Sequence, residues 1–583
     1  MLNHYTRLAA LGACLALLAA PTHAAAPGKN ADNAATVADT HKLTPVSSER
    51  LAKGTADDSG WVMYGGSYDN QRYSPLADIN RDNVKQLAAA WVFQTGVAGQ
   101  LEAAPIVADG VLYLTAAYNN VYALDAKSGE IIWHYEHQMP SDLRICCGPT
   151  NRGVAIHGDK IFMATLDARL IALDRATGKV AWNTVMDDYK NGHSATGAPL
   201  VVNNVAIIGS AGGEYGARGF IDAYDVATGK RVWRRFTIPA AGEKGVETWA
   251  GDSWKTGGGP PWNTGTYDAK TNLVFWPTGN PSPDWNGDPR EGDNLYTNSL
   301  LALDPATGEL KWHFQYTPHD VWDYDATNGV VVADVTIDGK THHAVVQPNR
   351  NGFVYVLDAA TGKFLRGDQY TERLNWAKGL DANGRPIRDD KYVPMAGGNP
   401  EFICPGNVGG HNGSWTYTYS PQTRMLYIPL VESCGKMEKD TAVFMNGTPF
   451  WGGGPGVTEG EDQSSWGTVT AFDPATGKAK WRWKDEYPLV GGALATAGGV
   501  VFTGTQSGHA VALDDTTGKL LWKFQTGSAV RGQPVTWKQD GRQYVAIPSG
   551  GGGIAVSIIG QPALDTPGSA LVVFALPDTA AAK

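Results

Sequence analysis

Short apolar runs that end in a polar turn and resume toward a tryptophan recur along most of the chain. The first clear copy is Ala123-Leu-Asp-Ala-Lys-Ser-Gly-Glu-Ile-Ile-Trp133. Its pattern is a small or apolar residue, an aromatic or Leu, Asp, two free positions, Thr or Ser, Gly, three free positions and Trp. It returns at Ala172–Trp182, Ala223–Trp233, Ala302–Trp312, Ala471–Trp481 and Ala512–Trp522, and Val356–Arg366 is a variant that loses its Trp. Each copy predicts strand, tight turn, strand. The Asp side chain can accept backbone N–H groups inside the turn, the Gly supplies a positive φ, and the Trp has the area to pack against a neighbouring unit.

Looser hairpins, Thr266–Trp276 and Thr418–Tyr427, fill the wider gaps between strict copies and bring the expected number of units to about eight. Units of roughly 40 to 50 residues made of short antiparallel strands predict a β-propeller, in which radial sheets keep their edges short and protected. An open solenoid is the competing architecture. Against it, the apolar segments Leu87–Phe93 and Leu571–Leu576 can pair to close a ring, and neither end shows a polar capping unit. Long stretches at 134–155, 235–265, 277–298, 313–330, 367–415 and 435–466 interrupt the repeat. They are rich in Gly, Pro, Trp and Asn and hold nearly every unusual polar cluster, so binding chemistry is expected on these loops over the central channel.

Of 583 residues, 10% are aromatic, 20 are Trp and 71 are Gly, while 18% are charged, which suits a turn-rich, aromatic-packed β protein. The chain exceeds the usual single domain, but repeat folds grow by adding units around one axis and escape that limit. Residues 1–24 carry Arg7, the apolar run Leu8–Ala20 and small residues around Ala24, the pattern of a secretory signal peptide. Residues 25–58 then read as a partly flexible N-terminal extension, 59–576 as the propeller domain and 577–583 as a C-terminal tail. Cys14 lies inside the apolar run instead of at its end, which argues against a lipid anchor, and no later stretch approaches the roughly 18 apolar residues of a membrane span. Loss of the signal removes one positive charge and no acid, taking the formal net charge from −10 to −11, a surface unsuited to nucleic acid.

Four cysteines remain, Cys146, Cys147, Cys404 and Cys434, an even count that suits disulfides in an exported protein. Cys404 and Cys434 can close an ordinary loop, whereas the adjacent Cys146 and Cys147 can pair only through a strained ring of a sort kept at functional sites. Free thiols are the competing reading, and a four-ligand zinc site lacks its second pair. The candidate chemistry lies in Asp323-Tyr-Asp325, at the end of Thr317-Pro-His-Asp-Val-Trp-Asp-Tyr-Asp325. In an extended segment, residues two apart point the same way, so both carboxylates could reach one hard cation, or one could bind it while the other takes a proton. A solvated acidic turn is the alternative.

Further motifs stand around these residues. They are Cys146-Cys-Gly-Pro-Thr-Asn-Arg-Gly153, Gly209-Ser-Ala-Gly-Gly-Glu-Tyr-Gly-Ala-Arg-Gly219, Trp249-Ala-Gly-Asp-Ser-Trp-Lys-Thr-Gly-Gly-Gly259, Thr278-Gly-Asn-Pro281 and Pro348-Asn-Arg-Asn-Gly-Phe-Val-Tyr355. With them the chain, from about residue 59 to 576, resembles the periplasmic quinoprotein alcohol dehydrogenases, propellers that hold pyrroloquinoline quinone and a metal ion on the axis. The resemblance implies an all-β, eight-bladed β-propeller with tryptophan-docking repeats and long loop insertions on one face. It implies that Cys146 and Cys147 form a disulfide ring against one face of the quinone while Trp262 stacks on the other. Arg152 and Arg350 then serve the cofactor's carboxylates and carbonyl oxygens as planar, paired donors. Glu102, Thr196, Gly212, Gly213 and Asn412 supply its remaining polar contacts.

The same resemblance places a metal ion on Glu214, Asn280, Asp323 and Asp325, all oxygen donors as a hard ion requires, with Asp323 as the catalytic base. An Asp at 325 marks the branch that uses lanthanide ions, where calcium-dependent members carry a small or neutral residue. A trivalent ion close in size to calcium gains from one more anionic ligand. The implied reaction is periplasmic oxidation of primary alcohols to aldehydes, with the ion as Lewis acid, Asp323 taking the hydroxyl proton and hydride passing to the quinone. No Cys-x-x-Cys-His haem attachment sequence occurs, so a separate soluble cytochrome c is the expected electron acceptor. Val490 stands where many relatives carry a pocket Trp, and Ser549–Ser557 offers only Gly, Ile, Ala and Val where methanol enzymes place another, which implies a wider pocket and a range of primary alcohols. Ala211 and Pro260 replace hydroxyl residues that help hold the cofactor in some relatives. Calcium-dependent oxidation of the same alcohols is the alternative within enzymes, and a non-catalytic propeller scaffold is the alternative outside them. A homodimer is compatible with the sequence.

Overall fold

The computed structural model describes residues 41–399, 401–458, 465–551 and 568–577. The expected signal peptide, residues 25–40 of the extension, 552–557 of the Ser549–Ser557 stretch and 578–583 of the tail lie outside the described residues. Among the described residues, eight sheets with four antiparallel strands each span 106–136, 155–185, 200–236, 266–315, 331–369, 418–485, 494–525 and 535–575, the seventh extended by the parallel strand Tyr73–Ser74 and the last completed by Ala88–Gln94. They are numbered here as blades 1 to 8. First strands such as Ile106–Ala108 are buried throughout, while fourth strands such as Ile131–Glu136 alternate exposed and buried positions. The first strand therefore lines the axis and the fourth forms the rim.

The strict repeats and, in blade 5, the variant Val356–Arg366 are the third and fourth strands of blades 1 to 7, as in Asn120–Asp125 paired with Ile131–Glu136. The looser hairpins are not units of their own. Thr266–Asp268 with Leu273–Pro277 and Thr418–Ser420 with Met425–Glu432 are the inner halves of blades 4 and 6. Blade 8 is the unit without a motif, because its outer strand comes from the other end of the chain. Ala88–Gln94 pairs antiparallel with Ala570–Ala575, with Trp91 opposite Val573, so the two apolar segments do close the ring.

Each rim tryptophan docks on the next blade. Trp133 donates its indole N–H to Arg175 O at 3.0 Å and covers Gly178, where a Cβ would come within 2.7 Å of the ring. Trp182, Trp233, Trp312 and Trp481 repeat this on Gly229, Gly308, Gly362 and Gly518. The turn glycine is thus required twice, for its left-handed backbone and for the indole laid on it. Within the first turn, Asp125 Oδ1 accepts the Lys127 and Ser128 amides at 2.9 and 2.7 Å. In the variant repeat, Arg366 replaces the indole: its Nη2 donates to Thr476 O at 2.7 Å, and the Asp368 that pairs with it lies against Gly477. The cycle closes through blade 8, where Trp522 donates to Leu87 O at 3.1 Å and Trp91 covers Gly129 of blade 1.

A segment before the ring crosses the axis and ties the inner strands together. Trp61 exchanges backbone hydrogen bonds with Val107 of blade 1, and Tyr68 hydroxyl donates to Val201 O of blade 3. The carbonyls of Tyr68, Asp69 and Gln71 accept the amides of Tyr267, Val332 and Tyr419 in blades 4, 5 and 6, and Tyr73–Ser74 pairs in parallel with blade 7. Eight blades joined by rim docking and by this crossing segment hold their connecting loops at fixed positions.

Gly229→Ala is expected to lower the melting temperature more than Gly242→Ala. Both glycines are left-handed, at φ +69 and +85, but a Cβ at 242 meets nothing within 4 Å, while at 229 it stands 2.6 Å from the Trp182 ring. Backbone strain costs each variant about 1 kcal/mol, and overpacking adds about 1–3 kcal/mol at 229. Equal shifts in a thermal melt would refute the docking role.

Candidate active site

Neighbouring antiparallel strands alternate direction, so connections from strand two to three and from strand four to the next blade all leave at one end of the ring. They meet over the axis around a cavity of about 320 Å³, within the roughly 300–1,000 Å³ typical of small-molecule sites.

Glu214 reaches this cavity from blade 3, behind Gly212, at φ +111, and Gly213, where a Cβ would meet Pro260 at 2.7 Å. Asp323 and Asp325 come from the connection between blades 4 and 5. Their segment is not extended, contrary to the sequence expectation: Asp323 has φ 60. The buried Asp320 carboxylate shapes the turn, accepting the Trp322 and Tyr324 amides at 2.9 and 2.8 Å and the Asn298 side chain at 2.7 Å. Both acids still converge, because Arg350 Nη1 stands 3.5 Å from Asp323 Oδ1 and 3.7 Å from Asp325 Oδ2. Asn407 Nδ2 donates to Asp323 Oδ2 at 2.8 Å. Asp325 accepts the Asn280 backbone N–H at 2.9 Å and the Trp262 indole N–H at 3.2 Å. Asp284, from the same blade 4 connection as Asn280, also lines the cavity.

These four carboxyl groups share one electrostatic condition. Burial lifts Glu214 to about 7, with the Asp325 charge adding to it. Burial lifts Asp323 to about 8, opposed by Arg350 and reinforced by Asp325. Asp325 is raised by burial against the pull of Arg350, and Asp284 is held well above the usual carboxylate range by burial and then by the charges of Asp323 and Glu214. Among the described residues no ion pair reaches Glu214 or Asp284. Acids so crowded and so poorly compensated fit a hard cation bound through oxygen. Cys147 Sγ lies 3.9 Å from Glu214 Oε1, yet Cys146 and Cys147 are bonded to each other, so neither is a thiolate and only Glu214 of that group offers an anionic donor.

A second cluster is cationic. Arg152 Nη2 lies 3.0 Å from Glu102 Oε2 and Arg531 Nη2 lies 3.1 Å from Glu102 Oε1, so one carboxylate joins two guanidiniums. Nε of Arg152, Arg350 and Arg531, and Nη1 of Arg531, are buried without a hydrogen-bond partner. Spare guanidinium donors lining a cavity fit a planar ligand that carries carboxylates and carbonyls. The Cys146–Cys147 disulfide and Trp262 supply flat walls, with the Arg152 guanidinium 4.6 Å over the indole. Cys147 is left-handed, at φ 68, and its carbonyl accepts Gln100 Nε2 at 3.1 Å. The residues present thus suit both the quinone and the metal ion that the resemblance implies.

All the site residues expected from the sequence line the cavity except Gly213 and Asn280. Gly213 presents its carbonyl to Ser282 Oγ, and Asn280 touches Asp325 through its backbone while its side-chain amide donates to Pro281 O at 3.4 Å. Thr196 and Asn412 are at the wall, Asn412 Oδ1 accepting the Ser414 amide at 3.0 Å. The Cys404–Cys434 disulfide anchors the loop that carries Asn407 and Asn412. Val490 is not a lining residue; it packs against Trp415 and Val431, and the apolar wall is made by Trp285, Trp415, Trp451 and Val408. Ala211 lines the cavity, while Pro260 packs on Gly213. Sequence reasoning missed Gln100, Asp284, Asn407 and Arg531. Arg531 sits in the short connection from blade 7 to blade 8, which emerges at the same end as the long insertions and could have been found by that parity.

Comparison with known proteins agrees. A family described as "PQQ: Glucose/ethanol/alcohol dehydrogenase, beta-propeller domain" matches residues 61–367, and one described as outer membrane protein assembly factor BamB matches residues 465–558, which hold two of the tryptophan repeats. The chain is 42% identical over 534 residues to quinoprotein alcohol dehydrogenase PedH of Pseudomonas putida, covering 87% of this chain and 89% of that one. It is 37% identical over 547 residues to the lanthanide-dependent methanol dehydrogenase of Methylorubrum extorquens, covering 88% and 90%. The solved structure of a europium-containing methanol dehydrogenase superposes with a TM-score of 0.86 at 36% identity, over 91% of this chain and 100% of that one. Likeness that runs almost end to end, on a propeller whose axial cavity gathers these acids and guanidiniums, places the chain in the family of quinoprotein alcohol dehydrogenases, pyrroloquinoline-quinone-dependent oxidoreductases.

Proposed function

We propose that this chain oxidises small primary alcohols to aldehydes in the periplasm with pyrroloquinoline quinone and one lanthanide ion. The observation that supports the lanthanide most directly is Asp325, a second acid converging with Asp323 on Arg350 Nη1. Glu214, Asn280, Asp323 and Asp325 would hold the ion through oxygen, and a trivalent ion would gain more than a divalent one from the added carboxylate. Relatives whose names carry lanthanide dependence or europium, at 37% and 36% identity, favour the same reading.

When bound, the quinone supplies the two-electron acceptor and the ion the Lewis acid. Arg152 and Arg350 would hold the quinone through guanidinium donors, and the Cys146–Cys147 ring and Trp262 would offer it flat walls. Glu102, Thr196, Gly212, Gly213 and Asn412 complete its polar contacts. Asp323 accepts the hydroxyl proton of the alcohol. Asn407 at 2.8 Å on one carboxylate oxygen and Arg350 at 3.5 Å on the other fix its direction. Its ionised form, disfavoured by burial, is the form that a neighbouring cation and Arg350 stabilise. Trp285, Trp415 and Trp451 shield the carbinol end from water and discriminate weakly between chain lengths, which supports a range of primary alcohols. The signal-like leader supports export, and the lack of a haem attachment sequence supports a soluble cytochrome c as electron acceptor.

The purified metal-free protein, loaded with quinone and assayed with a dye acceptor, is expected to oxidise primary alcohols with a light lanthanide and poorly with calcium. Asp325→Ala is expected to lose the lanthanide-dependent rate first. Full activity of the wild type with calcium alone would overturn the lanthanide reading, and no activity with either ion would overturn the catalytic one. Asp323→Asn is expected to lower kcat by about 10²–10⁴-fold while the quinone's absorbance remains on the protein. A kcat within about threefold of the wild type would remove Asp323 from the role of base.

A further inference from the structure

One carboxylate at the cavity has no part in that mechanism. Asp284 follows Asn280 by four residues, is 3% exposed, and its Oδ1 has no hydrogen-bond partner. The chain on either side of it is pinned: Ser282 N donates to Gly257 O and Trp285 N to Trp451 O, both at 3.0 Å. Arg290, the buried cation of this turn, spends its donors elsewhere. Its Nε donates to Pro283 O at 3.1 Å, its Nη1 to Asn294 Oδ1 at 2.9 Å, and its Nη2 to the carbonyls of Pro283 and Asp284 at 3.0 and 3.3 Å. The guanidinium therefore holds the backbone in place and leaves the carboxylate unpaired. That carboxylate lines the same cavity as Glu214, Asp323 and Asp325, and all three charges act on it. A buried acid whose Oδ1 has no donor, and which the Arg290 charge offsets only in part, is unfavourable unless something in the cavity compensates it.

We propose that Asp284 is a further carboxylate ligand of the ion held by Glu214, Asn280, Asp323 and Asp325, and that this fourth acid biases the site toward trivalent over divalent cations. The inference rests on the lanthanide reading above. Each carboxylate acts on every unit of ion charge, so losing one weakens a trivalent ion more than a divalent one. Asp284→Asn is expected to weaken europium(III) binding by about tenfold and calcium binding by only about fivefold, because the Coulomb energy lost scales with the ion's charge.

The test is binding, not turnover. The full chain with quinone bound is titrated separately with europium chloride and calcium chloride, and europium luminescence lifetimes in H₂O and D₂O count the waters on the ion. Asp284→Ala is expected to admit one more water, and Asp284→Glu to restore part of the europium preference. The metal-free Asp284→Asn protein is expected to melt no lower than wild type, since it loses an unpaired buried charge, whereas a purely structural role predicts a lower melting temperature. If wild type prefers europium and the Asn and Ala variants keep both its affinity and its water count, this inference fails while the lanthanide reading stands. If wild type prefers calcium, both fail.

Discussion

Negative charge gathered at the centre of a closed ring is the constraint on which the rest of this molecule depends. Four acids line the cavity there from three connections: Glu214 in blade 3, Asp284 in blade 4, and Asp323 and Asp325 between blades 4 and 5. Arg350 touches two of them and satisfies neither fully, at 3.5 and 3.7 Å. Bringing such groups together opposes folding, and their upward-shifted proton affinities are the direct expression of that cost. Arg350, Asn407, the Asn280 amide and the Trp262 indole offset part of it at Asp323 and Asp325, and the remainder falls to the scaffold and to whatever cation the cavity receives.

The scaffold answers with redundancy. Each rim indole fixes the angle between two blades through a hydrogen bond and a glycine contact, and the segment 61–74 ties inner strands of six blades across the axis. Closure by Ala88–Gln94 adds the last docking contact on both sides, through Leu87 and Trp91. A lone loop could relax to separate its acids, but loops rooted in this ring cannot do so without disturbing its contacts. The same rigidity lets Asp320 hold the turn at Asp323 in a left-handed conformation that local propensity alone would not choose.

How much of this was legible in the sequence follows the range of each interaction. The hairpins were legible because the Asp, the glycine and the indole act within or next to one turn. Ring closure was legible from two apolar segments. The number of blades was right for a partly wrong reason, since Thr266–Trp276 and Thr418–Tyr427 are inner halves of blades that already carry a strict repeat. The cavity residues were legible mainly through the family resemblance, because their spacing along the chain carries no trace of convergence on one axis. Asp323 and Asp325 were expected on an extended segment, and what brings them together instead is Arg350 and the cap by Asp320. Arg531 was hidden because it stands in a short connection with no unusual composition. Asp284 was hidden because a single acid between a proline and a tryptophan looks like any turn.

The division of the cavity into an acidic and a cationic cluster bears on how a flat cofactor is held. The disulfide of Cys146 and Cys147 and the indole of Trp262 can grip two faces, but contact with faces leaves rotation within the plane free. Charge removes that freedom. The spare donors of Arg152 and Arg531, held together by Glu102, attract carboxylates, while the acids attract a cation and repel those same carboxylates. Trp262 lies between the clusters, its ring under Arg152 and its N–H on Asp325, so one side chain sets the plane and touches both poles. On the proposed reading, the cofactor's orientation and the ion's position are therefore one electrostatic choice, and a change at either cluster alters both.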